Sequence, residues 1–453
     1  MKMSKPLRIW VCFKIQPDFE QVLEADWQGF GPESDISYAK HSFSCFDESA
    51  LELALRLKDS LTQAGQEVIL GAITLAYSLQ ASLGKILFAA GYDEVLRINA
   101  QLEFSPRETG RLLAAHLTEQ KPDLVLMGRQ AGYADTGLVP YYTADALGFP
   151  LLADIENITP EMLTQLPLIA AIGNSPIAAL RAVTLRRRME AGKRQAVVLQ
   201  PGCRGGILAA RPLETARPSP PPILIRNQPK RSVTMLEPGA LPKLLRELLS
   251  GADRAAAQEK AIIPPENVLL FPHSQADRAI RYAIENNLPC INGVTALSED
   301  GKHVITKACS NHLEWHSPVT GERQVWVLSK ALDPSPGARL LLAAGRGMGR
   351  EGITKMHRLA ELLNGETGVT RAAAQNGWAG MDRIVGQSGR MTKPEVCVAF
   401  GASGAAAFLA GVEKSRVLVA VNTDPDAPIF NCADYGVLDD ANSVADALLE
   451  AFS

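Results

Sequence analysis

No two cysteines in this chain are spaced as CxxC; its seven cysteines are scattered from Cys12 to Cys432. That argues against a disulfide framework and against a cysteine-held iron–sulfur cluster. Long apolar runs are missing too. The first, Ile9 to Phe13, is too short for a signal-peptide core or a membrane span, and Lys14 interrupts it. Neither sign of charge dominates. The net charge of −3 leaves no basic stripe of the kind a general nucleic-acid binder needs. No P-loop, Ser–His–Asp or paired-carboxylate pattern stands out, so a covalent catalyst is not indicated. His312 and His316 stand four apart, but Val304 to Trp315 reads as a strand, where that spacing separates side chains by about 13 Å. No metal site is expected. These absences predict a cytoplasmic protein without stable membrane insertion and without a nucleic-acid partner.

What remains is an ordinary soluble composition, 46% hydrophobic and 21% charged over 453 residues, enough for roughly two to four domains. Strands and helices alternate from the start. Leu7–Phe13, Val68–Ile73, Glu94–Ile98 and Asp123–Met127 read as strands. Ala50–Ser60, capped by Asp47 or Ser49, Leu79–Ala90 and Pro106–Gln120 read as helices. This order predicts a doubly wound parallel sheet, whose ligands sit at the carboxyl ends of strands. Leu180–Met189, carrying Arg186-Arg187-Arg188, and Gln195–Leu199 suggest a closing β-hairpin. Seven prolines between Pro212 and Pro238 read as a semi-rigid linker and as the clearest domain boundary. Beyond it come a helix at Ala240–Ser250, a strand at Asn267–Phe271, a helix at Asp277–Asn286 and an antiparallel region from Gly301 to Leu328.

The C-terminal quarter is built on glycine-rich turns. A strand ends in Gly345-Arg346-Gly347-Met348-Gly349; a helix and Thr370-Arg371 follow. After Val385-Gly386-Gln387-Ser388-Gly389 a second strand ends in Gly401-Ala402-Ser403-Gly404, and a third runs into Asn422. Turns of this kind bring backbone N–H groups close to phosphates, and several in one small domain point to a large nucleotide cofactor. The order and spacing resemble the flavin-binding domain of electron-transfer flavoprotein alpha subunits. The resemblance implies FAD. Arg346 and the helix opened by Ser403, Gly404, Ala405, Ala406, Ala407 and Phe408 would face its diphosphate, and Asn422 and Asp440 its adenosine end. Thr370, Arg371 and the loop Val385, Gly386, Gln387 and Ser388 would surround the ring. Arg371 and Ser388 would tune the redox chemistry, Arg371 by stabilising negative charge on the reduced ring and Ser388 by a hydrogen bond to N5. The sequence departs from the family at Ala407-Phe408, where Gln-His is usual. That departure implies a lower first reduction potential.

The N-terminal part resembles the beta subunit of the same flavoproteins. The phrases FKIQPD, SCFDESALELALRLKD, AAGYDEVL and KPDLVLMGRQAGYADTGLVPYYTADALGFP carry the likeness between residues 13 and 150. It implies a nucleotide-binding domain of the adenine-nucleotide alpha-hydrolase-like type holding a second nucleotide, usually AMP and in some relatives a second FAD or a nicotinamide. Cys12, Ser44, Asp47, Gly128, Arg129, Gln130, Asp135 and Thr136 would line it, and Phe19 and Phe46 would approach the flavin edge. Tyr133 stands where an acidic residue is usual. Cys203–Thr215 lacks the loop with which relatives grip dehydrogenases.

The whole chain then reads as a beta-like domain (1–211), a linker (212–238), a shortened alpha-like first domain (239–331) lacking roughly 70–80 residues, and a Rossmann-like FAD-binding domain (332–453). The implied role is a single-chain electron carrier, rather than an enzyme with its own substrate, passing electrons from a dehydrogenase to a quinone reductase or similar acceptor. Two other readings stand beside it: an NADH-oxidising or electron-bifurcating flavoprotein, and a nucleotide-sensing protein without flavin.

Overall fold

The strand sequences LRIWVC, VILGAITL and LVLMG are apolar almost throughout and buried along their length. Such strands suit the interior of a parallel sheet covered on both faces, and that is where the computed structural model puts them. It describes residues 5–17, 22, 26, 36–76, 81–98, 105–130, 136–173, 181, 184–190, 207–208, 223–226, 232–250, 262–308, 313–329, 335–336, 338–386 and 389–453.

The first sheet runs in the order Leu151–Ile155, Leu168–Ile172, Leu124–Gly128, Leu7–Cys12, Val68–Leu75, Glu94–Ile98 and Ile207–Leu208, every neighbouring pair parallel. Alternate residues face opposite layers. Leu7, Ile9 and Val11 pack with Ala50, Leu51, Leu53, Ala54 and Leu55 of the helix Cys45–Gln63. Trp10 and Cys12 face the helices Pro106–Gln120 and Val139–Leu147 through Leu112, Leu113, Leu117 and Tyr141. The helix Cys45–Gln63 starts earlier than expected. Its N-cap is Ser44, whose side chain accepts from the Asp47 N–H, rather than Asp47 or Ser49.

The second sheet is mixed, in the order Ile223–Arg226, Leu313–Pro318, His303–Ala308, Cys290–Leu297, Gln324–Leu328 and Val268–Phe271. Antiparallel pairing joins its first four strands, and Gln324–Leu328 is parallel to both its neighbours. Its helix Ala276–Glu285 inserts Ala279, Ile280 and Ala283 into the same core as Leu112 and Tyr141, so the first two sheets share an apolar layer.

The third sheet is wholly parallel: Thr234–Leu236, Tyr435–Leu438, Val417–Asn422, Val396–Phe400, Leu340–Ala344 and Glu366–Val369. Within 340–438 the strand order is 2-1-3-4-5, a doubly wound arrangement. The helices Leu241–Ser250, Gly349–Leu363 and Ala441–Phe452 cover one face. The helix Ala406–Val412, with Ile429 and Phe430, covers the other.

Three further sequence expectations change. Residues 184–190 are helical rather than the first arm of a hairpin; Arg186 and Arg188 find carboxylate partners on the helix Cys45–Gln63, which a strand edge would not give them. Residues 195–199 lie outside the described residues. The proline-rich stretch is not only a linker. Ile223–Arg226 and Thr234–Leu236 are edge strands of two different sheets, positions where neighbouring prolines are tolerated. Third, the helix Leu241–Ser250 packs on the third sheet, burying Leu241 and Leu245 there, and not with the unit at 239–331. Among the described residues no helix is long and apolar enough to cross a membrane.

Candidate functional site

In an open parallel sheet the crevice lies where successive strands diverge to opposite sides. In the third sheet that point falls between Leu340–Ala344 and Val396–Phe400. The turns that follow these strands interlock through bare backbone. The Gly345 N–H donates to Phe400 O at 2.8 Å and the Gly347 N–H to Gly401 O at 3.0 Å. A Cβ on Gly345 would lie 2.2 Å from Gly401 O, so only glycine allows this approach. Gly349 opens the 15-residue helix Gly349–Leu363 with φ +64°, and no atom lies within 4 Å of where its Cβ would be. Unsubstituted backbone at the positive end of a helix therefore faces open space, a shape and polarity that fit a phosphate group. Arg346 is exposed beside it.

Most of the other expected residues of this half that the structure describes lie in the loops at the same carboxyl edge; Phe408 does not. Thr370 follows Glu366–Val369 and caps the short helix Arg371–Gln375, accepting from the Ala373 N–H at 3.4 Å. The Val385 N–H donates to Val369 O at 3.0 Å. Gly386, at φ +130°, presses against the helix Ala406–Val412, where a Cβ would meet Ala407 O at 2.4 Å. Ser403 is exposed and its carbonyl accepts from the Ile429 N–H at 3.0 Å. Gly404 is buried against that same residue, Ala405 is half-buried, and Ala406 begins the helix. Asn422 ties two loops together, donating to Ala402 O at 2.9 Å and accepting from the Asp424 N–H at 3.0 Å. Asp440 caps the helix Ala441–Phe452 through the Ser443 N–H at 2.9 Å. Phe408 is buried in the core with Leu341, Val385 and Leu418. Gln387 and Ser388 lie outside the described residues.

The first sheet has its own divergence point, between Leu7–Cys12 and Leu124–Gly128. Asp47 fills it. Its carboxylate accepts from the Lys14 N–H at 2.9 Å and the Gly128 N–H at 3.1 Å, bridging the two strand ends. A side chain at 128 would collide with it, since a Cβ there would lie 2.3 Å from Asp47 Oδ1. Burial pushes the Asp47 carboxyl up to about 6, against the opposing pull of those N–H groups and of Ser44. Burial, then the neighbouring Asp47, raises the Cys12 thiol far above its ordinary value, which leaves it unsuited to nucleophilic work. Ser44 donates to Gln130 O at 3.5 Å. Arg129 pairs with Asp154 at 3.2 Å, donates to the Gln130 side chain, and lies 5.8 Å over the buried Phe46 ring. The Thr136 carbonyl accepts from Asn292 at 2.7 Å, a link to the second sheet. Phe19 and Asp135 lie outside the described residues. No group of His, Cys, Asp or Glu among the described residues is arranged to hold a metal ion.

The two halves meet where Arg371, expected at the flavin ring, and Arg186 of the arginine tract converge on two residues to which the sequence assigned no role, Glu48 and Gln375. Glu48, buried in the first turn of Cys45–Gln63, accepts from Arg186 Nε and Nη2 at 2.5 and 2.8 Å and from Arg371 Nη2 at 3.3 Å. With its amide oxygen turned toward the two guanidinium groups, Gln375 accepts from Arg186 Nη1 at 3.1 Å and Arg371 Nε at 3.0 Å. One turn further along, the buried Glu52 takes Arg56 and Arg188. Two acidic residues four apart on a helix, with a three-arginine tract elsewhere in the chain, were the available signal.

Comparison with known proteins bears on both halves. Residues 36–203 match the electron transfer flavoprotein domain, and residues 336–413 match the electron transfer flavoprotein FAD-binding domain. Both matched regions thus resemble electron transfer flavoprotein domains. The FAD-binding match takes in the interlocked turns at Gly345–Gly349 and Gly401–Gly404 and stops before Asn422 and Asp440. The flavoprotein-domain match includes Ser44–Glu48 and Arg186. Among curated relatives, Protein FixB of Azotobacter vinelandii is 43% identical over 118 residues, 26% of this chain and 33% of its own length. The mitochondrial electron transfer flavoprotein subunit alpha of Arabidopsis thaliana is 40% identical over 163 residues, 35% of this chain and 45% of the relative. The alpha subunit of Paracoccus denitrificans is 45% identical over 112 residues, 24% and 36% respectively. The chain thus spans between a third and a half of the length of these relatives.

Proposed function

We propose that this chain is an electron transfer flavoprotein in which a beta-like half and a shortened alpha-like half are one polypeptide. It would carry FAD in its C-terminal unit and relay electrons from a dehydrogenase to a quinone reductase or similar acceptor. The observation that supports this most directly is the meeting of the two matched regions within one chain. Arg371, in the FAD-binding match, pairs with Glu48, in the flavoprotein-domain match.

FAD, when bound, supplies one- and two-electron transfer. The chain's residues would hold it by the means already described. The bare backbone of Gly345–Gly349 and the positive end of Gly349–Leu363 would take the diphosphate, with Arg346 adding charge. Arg371, oriented by Glu48 and Gln375, would set a fixed positive charge against the ring, where negative charge develops on reduction. Asn422 and Asp440 hold the loops on which the adenosine end would rest. Ser388 and Gln387 belong to the same proposed set, and Phe46 with Phe19 to the opposing wall.

The first sheet's crevice would take a second nucleotide, AMP in this reading. Its strand-end N–H groups are already used by Asp47. A nucleotide there would therefore draw its polar contacts from the rim formed by Ser44, Arg129, Gln130 and Thr136. The visible spectrum and flavin-to-protein ratio of the purified chain test the proposal. One FAD per chain is expected. A chain that stays colourless after reconstitution refutes the proposal, and two FAD per chain or rapid bleaching by NADH replaces it with the bifurcating or NADH-oxidising alternative.

A further inference from the structure

The contact between the two halves gathers charges of both signs. One carboxylate, Glu48, faces two guanidinium groups, Arg186 and Arg371, with the neutral Gln375 completing the ring of contacts. Each member comes from a different place: Glu48 from the helix Cys45–Gln63, Arg186 from the helical residues 184–190, and Arg371 and Gln375 from the two ends of one short helix. We infer that Glu48 is a positioning residue for Arg371: it fixes the direction of that guanidinium and offsets part of its positive field, while Arg186 restores part of what Glu48 removes.

The geometry gives each group a distinct share. Arg371 is a long side chain on a five-residue helix, a weak mount for a fixed charge. Its fork is held at two atoms, Nη2 by Glu48 and Nε by Gln375. Two acceptors on separate elements define a plane, which a single ion pair does not. Glu48 is buried, so its partners act on it with little solvent screening. It takes both its closest contacts from Arg186, so Arg186 decides how much of its negative charge reaches Arg371. The field around Arg371 therefore depends on the whole cluster, and two neutralising substitutions should move it in opposite directions.

This inference rests on the proposal that Arg371 faces the flavin, and the test separates the two. In the FAD-loaded full chain, the reduction potential is measured by dye-equilibrated titration for wild type, Glu48→Gln and Arg186→Gln. Glu48→Gln removes the negative charge that faces both guanidinium groups and favours reduced flavin by about tenfold, which is about 59 mV for one electron. Arg186→Gln shifts the potential the other way. Shifts of the same sign, or none, overturn the electrostatic role, because a merely loosened contact would move both variants alike. In the flavin-free full chain, urea unfolding of Glu48→Gln, Arg371→Gln and the double variant gives their coupling. A coupling of about threefold or more in the unfolding constant is expected, and its absence overturns the positioning role. A wild-type chain that takes up no FAD refutes the functional reading, and the flavin-free cycle still decides whether Glu48 holds Arg371.

Discussion

Replacing Asp47 by Asn tests the most loaded buried group in the N-terminal half. Asp47 is buried, and burial lifts its carboxyl from the ordinary 3.8 to about 6. The folded chain thus binds this proton more tightly than the unfolded chain. The site's contribution to stability is fully present below about pH 4, is lost as the pH rises through about 6, and stays lost above that. A rise of that size corresponds to about 3 kcal/mol between the two ends of the window. Asparagine has nearly the same shape and no charge, so it removes the whole pH-dependent part. It also turns one amino group toward either the Lys14 or the Gly128 N–H, both of which now donate to the carboxylate, at a cost of about 1–3 kcal/mol. At pH 7 the two effects nearly cancel, and the variant should be close to wild type. Below about pH 4 little but the mismatch remains, and the variant should be clearly less stable. Urea unfolding of both proteins at a series of pH values measures the difference directly, because other titrating groups are common to both. A difference that stays flat from about pH 4 to 7 would show that Asp47 does not hold its proton there, and the account of the crevice would be wrong.

Two other substitutions probe the C-terminal unit. Gly349→Ala adds a methyl group where nothing lies within 4 Å, at a backbone angle of +64°. It should cost about 1–2 kcal/mol in thermal or urea unfolding, and by calorimetric titration should weaken FAD binding by more than that if the proposed diphosphate position is right. Phe408→His puts an imidazole into the apolar core formed by Leu341, Val385 and Leu418. It should lower stability by about 1–3 kcal/mol; unchanged urea unfolding would mean that position 408 faces the crevice and not the core.

The strands and glycine turns were readable because each answers to a local rule. Apolar runs such as LVLMG are buried on both faces, and Gly345, Gly386 and Gly404 sit where a Cβ would strike backbone within 2.4 Å. The helical state of residues 184–190 was not readable, because their decisive partners, Glu48 and Glu52, are more than 130 residues away in sequence. Proline-rich sequence reads as extended chain, and at Ile223–Arg226 and Thr234–Leu236 extended chain is what the sheet edges accept. Nothing local tells which sheet each will join. The same holds for Leu241–Ser250, whose apolar stripe requires a partner without naming it. Glu48 escaped notice because its role exists only once two remote helices meet.

The chain's route between its second and third sheets has a consequence for how the molecule is assembled. It lays down an edge of the second sheet at Ile223–Arg226, an edge of the third at Thr234–Leu236, returns to the second for Val268–Leu328, and only then completes the third. Neither sheet is a contiguous piece of sequence. On the ribosome, Thr234–Leu236 and Leu241–Ser250 emerge long before the strands they dock on, and must wait for Tyr435–Leu438, the last strand made. A fragment beginning after residue 335 would keep every glycine turn of the third sheet. It would still leave the Tyr435–Leu438 edge open and uncover the apolar surface that Leu241 and Leu245 close, so the C-terminal unit is expected to aggregate when cut out by position in the sequence and to remain soluble when residues 232–250 are supplied with it.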